Sequence, residues 1–152
     1  LIAERRVEVM NDFVNDAVEN GANIEIGGNR LNLAGSFFSP TILTDVSDNA
    51  KIMNEEPFGP LLPIDTFNSV DEVVDRANRL DFGLASYAFT NDPKIVSSLK
   101  SEIQAGLLAV NSTVVSTPET PFGGIKHSGY GSEGGVEGLD AFLVTRFISE
   151  AY

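Results

Sequence analysis

Between Pro60 and Asn111 short apolar runs alternate with amphipathic stretches, and few folds accommodate that alternation. The runs cover residues 61–67, 84–90 and 106–111. The first stretch between them opens with Ser69 and Glu72 at capping-box spacing, carries Val70, Val73, Val74, Ala77 and Leu80 on one side, and stops at Phe82-Gly83. The second begins at Asp92-Pro93, a capping residue with proline at the first helical position, and directs Ile95, Val96, Leu99 and Ile103 toward a core. Strand and helix in this order predict an α/β fold with right-handed crossovers and a parallel sheet covered on both faces. Ligands of such sheets gather beyond the carboxyl ends of the strands. The run 106–111 therefore delivers the loop 112–121, and the glycine-rich stretch after it, to the expected site.

Upstream, Ile2, Val7, Met10, Phe13, Val14, Ala17 and Val18 recur mostly at three- and four-residue steps, which predicts an amphipathic helix beginning at or before residue 1 and ended by Asn20-Gly21. Ile24 and Ile26 fit a short strand, Gly27-Gly28-Asn29 a turn, and residues 37–43 an extended stretch near a sheet edge because of Pro40. At the other end, residues 139–142 fit a helical turn, and residues 143–148 alternate like a strand.

The 152 residues, 42% of them hydrophobic, are enough for one core and one domain, residues 1–152. Against 22 acidic residues stand 10 basic ones, a net charge of -12 that argues against nucleic acid or an anionic membrane as partner. No apolar run reaches the roughly 18 residues of a membrane span. There is no basic-then-apolar leader, although a chain beginning with Leu1 leaves one further upstream open. The absence of cysteine removes disulfides, zinc thiolates and thiol catalysis by this chain itself. His127, the one histidine, has no second ligand at metal spacing, so no metal site is expected.

Seven of the 14 glycines lie between residues 121 and 138, interleaved with Phe122, Ile125, Lys126, Tyr130 and Glu133. Such spacing favours a shaped loop over a flexible linker, which would be richer in Ser or Pro. Residues 121–135, followed by Gly138-Leu139-Asp140, resemble the C-terminal signature of the aldehyde dehydrogenase superfamily. Glu55-Glu56-Pro57-Phe58-Gly59-Pro60 matches a second signature of that family, Glu-Glu-x-Phe-Gly-Pro, at the family's order and distance. The resemblance covers essentially the whole chain and implies the C-terminal part of the catalytic domain, without the cofactor-binding domain that precedes it. It implies an NAD- or NADP-dependent, cytoplasmic enzyme acting as a homo-oligomer, a dimer or a tetramer, on a small aldehyde. In that chemistry a cysteine thiolate attacks the carbonyl, hydride passes to the nicotinamide, and water hydrolyses the thioester. The cysteine and the general base would lie upstream of Leu1.

The resemblance also assigns roles. Glu56 and Phe58 would bind the cofactor, the carboxylate accepting ribose hydroxyls and the ring packing on nicotinamide. Two apart on an extended backbone, they would share a face. Glu133 would support proton transfer away from the site. Its neighbour Ser132 stands where the family commonly has arginine, which weakens the expectation of an ion pair there. Phe122 would line the aldehyde entrance, or else simply pack beside Pro121. Ser116 matches the position at which succinate-semialdehyde dehydrogenases offer a hydroxyl to the substrate carboxylate, and among superfamily members the loop around it resembles theirs best. A broad-specificity aldehyde dehydrogenase segment and a stand-alone, non-catalytic assembly module are the alternatives. For the terminal stretch 143–148, resemblance implies an oligomerisation strand, whereas pattern alone equally fits an edge strand of the chain's own sheet.

Overall fold

The computed structural model describes residues 1–152, which divide into two compact units, Leu1–Thr66 and Phe67–Tyr152. One core was expected. The main buried cluster lies instead wholly within the first unit, whereas the second buries only isolated hydrophobics such as Val74, Leu99 and Ala109.

In the first unit, helix α1 (Glu4–Glu19) lays Val7, Met10, Phe13, Val14 and Ala17 into the cluster, the stripe its periodicity predicts. It begins later than expected, at Glu4, because Ala3 is extended and Ile2 faces solvent. Its end is a Schellman motif: Ala22 N–H reaches Ala17 O at 2.9 Å, Gly21 N–H reaches Val18 O at 2.9 Å, and Gly21 supplies the positive φ of 97°. A three-stranded sheet follows in the order β1 (Asn23–Ile26), β2 (Thr41–Thr44), β3 (Leu61–Pro63), with β1 antiparallel and β3 parallel to β2. Pro40 thus precedes the central strand of this sheet rather than lying in an edge strand. Proline lacks an amide proton, and the first ladder bond here begins one residue later, at Thr41 N–H to Pro60 O, 2.8 Å. Leu43 and Thr41 are buried on β2, and the Thr41 hydroxyl is satisfied by Ser39 O and the Gly28 amide.

The second unit is a βαβ element with a glycine loop folded against it. Helix α2 (Val70–Asn78) starts where its capping box predicts: Ser69 Oγ accepts the Glu72 amide at 3.1 Å, and the Glu72 carboxylate accepts the Asn68 amide at 2.9 Å. Helix α3 (Pro93–Glu102) starts at Asp92, whose carboxylate accepts the Lys94 amide at 2.8 Å. It connects two parallel strands, β5 (Ala85–Ala88) and β6 (Leu107–Val110), in register from Ala85 with Leu107 to Ala88 with Val110.

The α/β class and the run of short strands and helices hold, but the pairing differs from a single parallel sheet. The first apolar run ends its strand at Pro63 and pairs with β2 in the first unit, so only β5 and β6 of the three expected neighbours pair with each other. Phe82-Gly83, read as a helix stop, is the two-residue strand β4 (Phe82–Gly83), antiparallel to β7 (Ile125–Lys126) in the glycine loop. Gly138 leads through a 3-10 turn, Glu137–Phe142, into residues 143–152, which are exposed and pair with no strand of this chain. That removes the edge-strand reading of this stretch. No helix is long and apolar enough to cross a membrane.

Candidate active site

The loop that leaves β6 and the glycine loop meet at one place. Phe122 and Glu133 pair across an antiparallel bridge, with Phe122 N–H to Glu133 O at 2.6 Å and Glu133 N–H to Phe122 O at 2.7 Å. The bridge closes the glycine loop into a ring. A second tie, Gly135 N–H to Pro118 O at 3.0 Å, draws the loop from β6 against its base. Between these ties Gly134 takes φ +67°, and a Cβ there would lie 2.7 Å from Thr120 O, so only glycine closes the junction without displacing backbone.

An open concavity of about 310 Å³ results, lined by Ser116, Thr117, Thr120, Phe122, Glu133 and Gly134 together with Pro118. Three of the five residues singled out in the sequence, Ser116, Phe122 and Glu133, thus converge. The hydroxyls are not equivalent. Thr117 and Thr120 share a hydrogen bond at 3.0 Å, and Thr120 also donates to Thr117 O, whereas the Ser116 hydroxyl has no protein partner and stays available to a ligand. Glu133, exposed and outside any ion pair, is the only charged group on the wall. A larger hollow of about 490 Å³ lies by Thr90, Ser97, Lys100 and Asn111 at the carboxyl ends of β5 and β6, but it contains none of the candidate residues. The Asn111 side chain there is already engaged on both sides, with Thr90 N and Thr90 O, at 2.9 Å each. Chemistry therefore points to the smaller concavity.

Glu56 and Phe58 occupy a different loop, in the first unit. Its backbone is anchored at four points: Glu55 N–H on Lys51 O at 2.7 Å, Arg6 on Pro57 O, Gly59 against Met10, and Pro60 O under the Thr41 amide. A Cβ on Gly59 would come within 2.1 Å of Met10 Sδ, so helix α1 and the loop touch with no space between them. On this fixed base Glu56 is exposed and free of hydrogen bonds, and the Phe58 ring is 73% exposed. The backbone between them is not extended. Phe58 has φ +45°, an uncommon conformation for a bulky residue, so the shared-face argument from a two-residue spacing does not apply. An unpartnered carboxylate and a bared ring on an anchored loop nevertheless suit the hydroxyls and flat ring of a nucleotide cofactor.

His127 is held by its amide on Asp81 O at 2.9 Å and sets its ring edge-on to Phe82, with centroids 6.1 Å apart. The sequence reading missed Thr117 and Thr120, whose spacing carries no motif of its own, and took Gly134 only as one of the loop's glycines. It also missed the anchors Arg6 and Met10, which belong to a helix far from the loop in sequence.

The profile of the aldehyde dehydrogenase family matches residues 1–148. The chain belongs to the aldehyde dehydrogenase family. It is 40% identical over 148 residues to the 3-sulfolactaldehyde dehydrogenase of Pseudomonas putida, covering 97% of this chain and 30% of that protein. It is 39% identical over 148 residues to the mitochondrial succinate-semialdehyde dehydrogenase of Homo sapiens, covering 97% of this chain and 28% of that protein. Among solved structures, an NADP-dependent enzyme of E. coli superposes with a TM-score of 0.89 at 39% identity, covering 95% of this chain and 30% of that one. The chain thus spans about 30% of the length of the aldehyde dehydrogenases it matches. Both signatures, residues 55–60 and 121–135, fall inside the matched residues.

Proposed function

We propose that this chain is the C-terminal segment of the catalytic domain of an NAD(P)-dependent aldehyde dehydrogenase that oxidises succinate semialdehyde to the dicarboxylate. The observation that carries the substrate is the Ser116 hydroxyl, unpartnered and lining the concavity closed by Phe122 and Glu133. A hydroxyl donor without a protein acceptor can meet a substrate carboxylate at no cost in broken internal bonds. Glu133 is the one charged residue lining the concavity, and the countercharge for that carboxylate would come from residues outside this chain. Phe122 shapes the approach of the aldehyde.

Glu133, open to solvent, receives and passes on the proton released during hydrolysis. The attacking cysteine and the base that activates water are likewise supplied from elsewhere, since this chain has no cysteine. Glu56 and Phe58 would hold the dinucleotide, the carboxylate on the ribose hydroxyls and the ring against the nicotinamide. Bound there, the dinucleotide supplies the hydride acceptor. The exposed terminal stretch 143–148, with Val144, Phe147 and Ile148 bare, joins a neighbouring subunit in the assembled enzyme.

The 40% identity to a 3-sulfolactaldehyde dehydrogenase favours a second reading, in which the anionic end of the substrate is a sulfonate. One experiment separates the two. In the full-length enzyme, Ser116→Ala should lower kcat/KM for succinate semialdehyde by about ten- to a hundredfold, the worth of a hydroxyl bonded to a charged oxygen, and leave a neutral aldehyde of similar length nearly unchanged. Selective loss with 3-sulfolactaldehyde instead would establish the sulfonate reading. Equal loss on charged and neutral substrates would mean that the hydroxyl holds the loop, and no loss on any of them would move the enzyme to a broad-specificity class.

A further inference from the structure

The glycine loop contains one long cation, Lys126, and its ammonium goes to the carbonyls that end α2 rather than to a carboxylate. Lys126 Nζ donates to Asn78 O at 3.2 Å and to Leu80 O at 3.0 Å. The last carbonyls of a helix have no partner within it, and a cation there also meets the negative end of the helix dipole. Asn78, whose carbonyl Lys126 caps, is itself a junction: its side chain donates to Glu102 O and accepts from the Gln104 amide, both at 2.8 Å, which ties the end of α3 to the end of α2.

The residues around Lys126 follow the same path. The His127 amide reaches Asp81 O, Ser128 Oγ accepts the Gly83 amide at 2.9 Å, and Ile125–Lys126 pairs with Phe82–Gly83. One limb of the loop is therefore pinned to the end of α2 and to β4, while its two feet meet in the Phe122–Glu133 bridge. Glycines within the ring leave little slack. A Cβ on Gly123 would lie 2.5 Å from Gly131 O, and one on Gly124 would lie 2.5 Å from Ser128 Cβ.

We infer that Lys126 is a positioning residue for the aldehyde site: by capping α2 it fixes the glycine loop, and through the loop the pair of Phe122 and Glu133. It touches no reacting atom. The kinetic part of this inference rests on the proposed aldehyde site, whereas the positioning part does not, and the test keeps them apart. Lys126→Met removes the donors and keeps the apolar stem. In the full-length protein it should raise hydrogen exchange at the Phe122 and Glu133 amides by about tenfold or more while the β5–β6 amides keep their protection.

In the same variant KM for the aldehyde should rise, with KM for the dinucleotide unchanged, since none of the anchors of the Glu56–Phe58 loop involves Lys126. Lys126→Arg, which retains charge and donors, should recover most of both effects. Unchanged exchange at Phe122 and Glu133 overturns the inference, as does exchange that rises equally over β5 and β6. Selective exchange with unchanged aldehyde kinetics upholds the clamp and overturns the placement of the aldehyde at this concavity. If Lys126→Met does not fold, the arginine variant decides: parent-like exchange and kinetics sustain the clamp, and parent-like stability with a loosened Phe122–Glu133 pair refutes it.

Discussion

Phe122 and Glu133 exchange both backbone hydrogen bonds, at 2.6 and 2.7 Å, so a ring proposed to face the aldehyde and a carboxylate proposed to carry its proton are fixed by one closed pair. The bonds within the pair use neither residue's own side chain. Either side chain can be altered without opening the loop, which makes their roles separable by mutation.

Phe122→Ala should lower kcat/KM for the aldehyde about tenfold, equivalent to about 1.4 kcal/mol, because the ring is only half-buried and acts on the substrate more than on the fold. Thermal unfolding measured beside the kinetics should show a midpoint within a few degrees of the parent. A large drop in the midpoint with unaltered kinetics would reduce Phe122 to a packing residue.

For Glu133→Gln the backbone pair survives and the ability to take up a proton is lost. We expect kcat to fall by roughly ten- to a hundredfold, with KM for the aldehyde little changed, as for a member of a general acid-base chain. The pH profile of kcat is the decisive measurement. If its acidic limb coincides with that of the parent, proton transfer bypasses Glu133.

Glu56→Gln replaces a charged acceptor by an amide on a loop whose backbone is anchored independently of that side chain. Dinucleotide placement should weaken by about 1–2 kcal/mol, seen as a higher Michaelis constant for the dinucleotide or slower hydride transfer. Parent-like kinetics with both cofactor and aldehyde would return Glu56 to the ordinary surface.

Local features of the fold were legible because their causes are local. Asn20-Gly21 ends α1, Ser69 with Glu72 starts α2, and Asp92-Pro93 starts α3, each through bonds spanning a few residues. Strand partners were not legible. Nothing in Phe82-Gly83 announces that it pairs with Ile125-Lys126, or that Leu61–Pro63 joins β2 rather than β5, because such bonds join residues distant in sequence. The two family signatures pointed to Glu56, Phe58, Phe122 and Glu133 as site candidates, while the positive φ of Phe58 defeated reasoning from strand periodicity. The clamp at Lys126 could not be read either, since a lysine among glycines reads as a solvated charge until the end of α2 is seen beneath it.

Met10 is fully buried in the core of the first unit, and Met10→Ala should cost about 2–5 kcal/mol in denaturant unfolding, the range for emptying a well-packed site. Met10→Leu, which nearly conserves volume, should cost less than about 1.5 kcal/mol. Equal costs for the two would show that the helix relaxes to fill the gap.

Gly59 lies flush against Met10, so a shape change at the centre of this core is passed to the Glu56–Phe58 loop without any intervening layer to absorb it. In a mutational survey scored by enzymatic turnover, Met10 would register alongside the proposed cofactor residues although it lies beneath their loop. Its apparent importance would come from the height at which it sets the floor. Substitutions at the two positions would consequently be expected to rescue one another only in matched sizes, with a smaller residue at 10 admitting a larger one at 59.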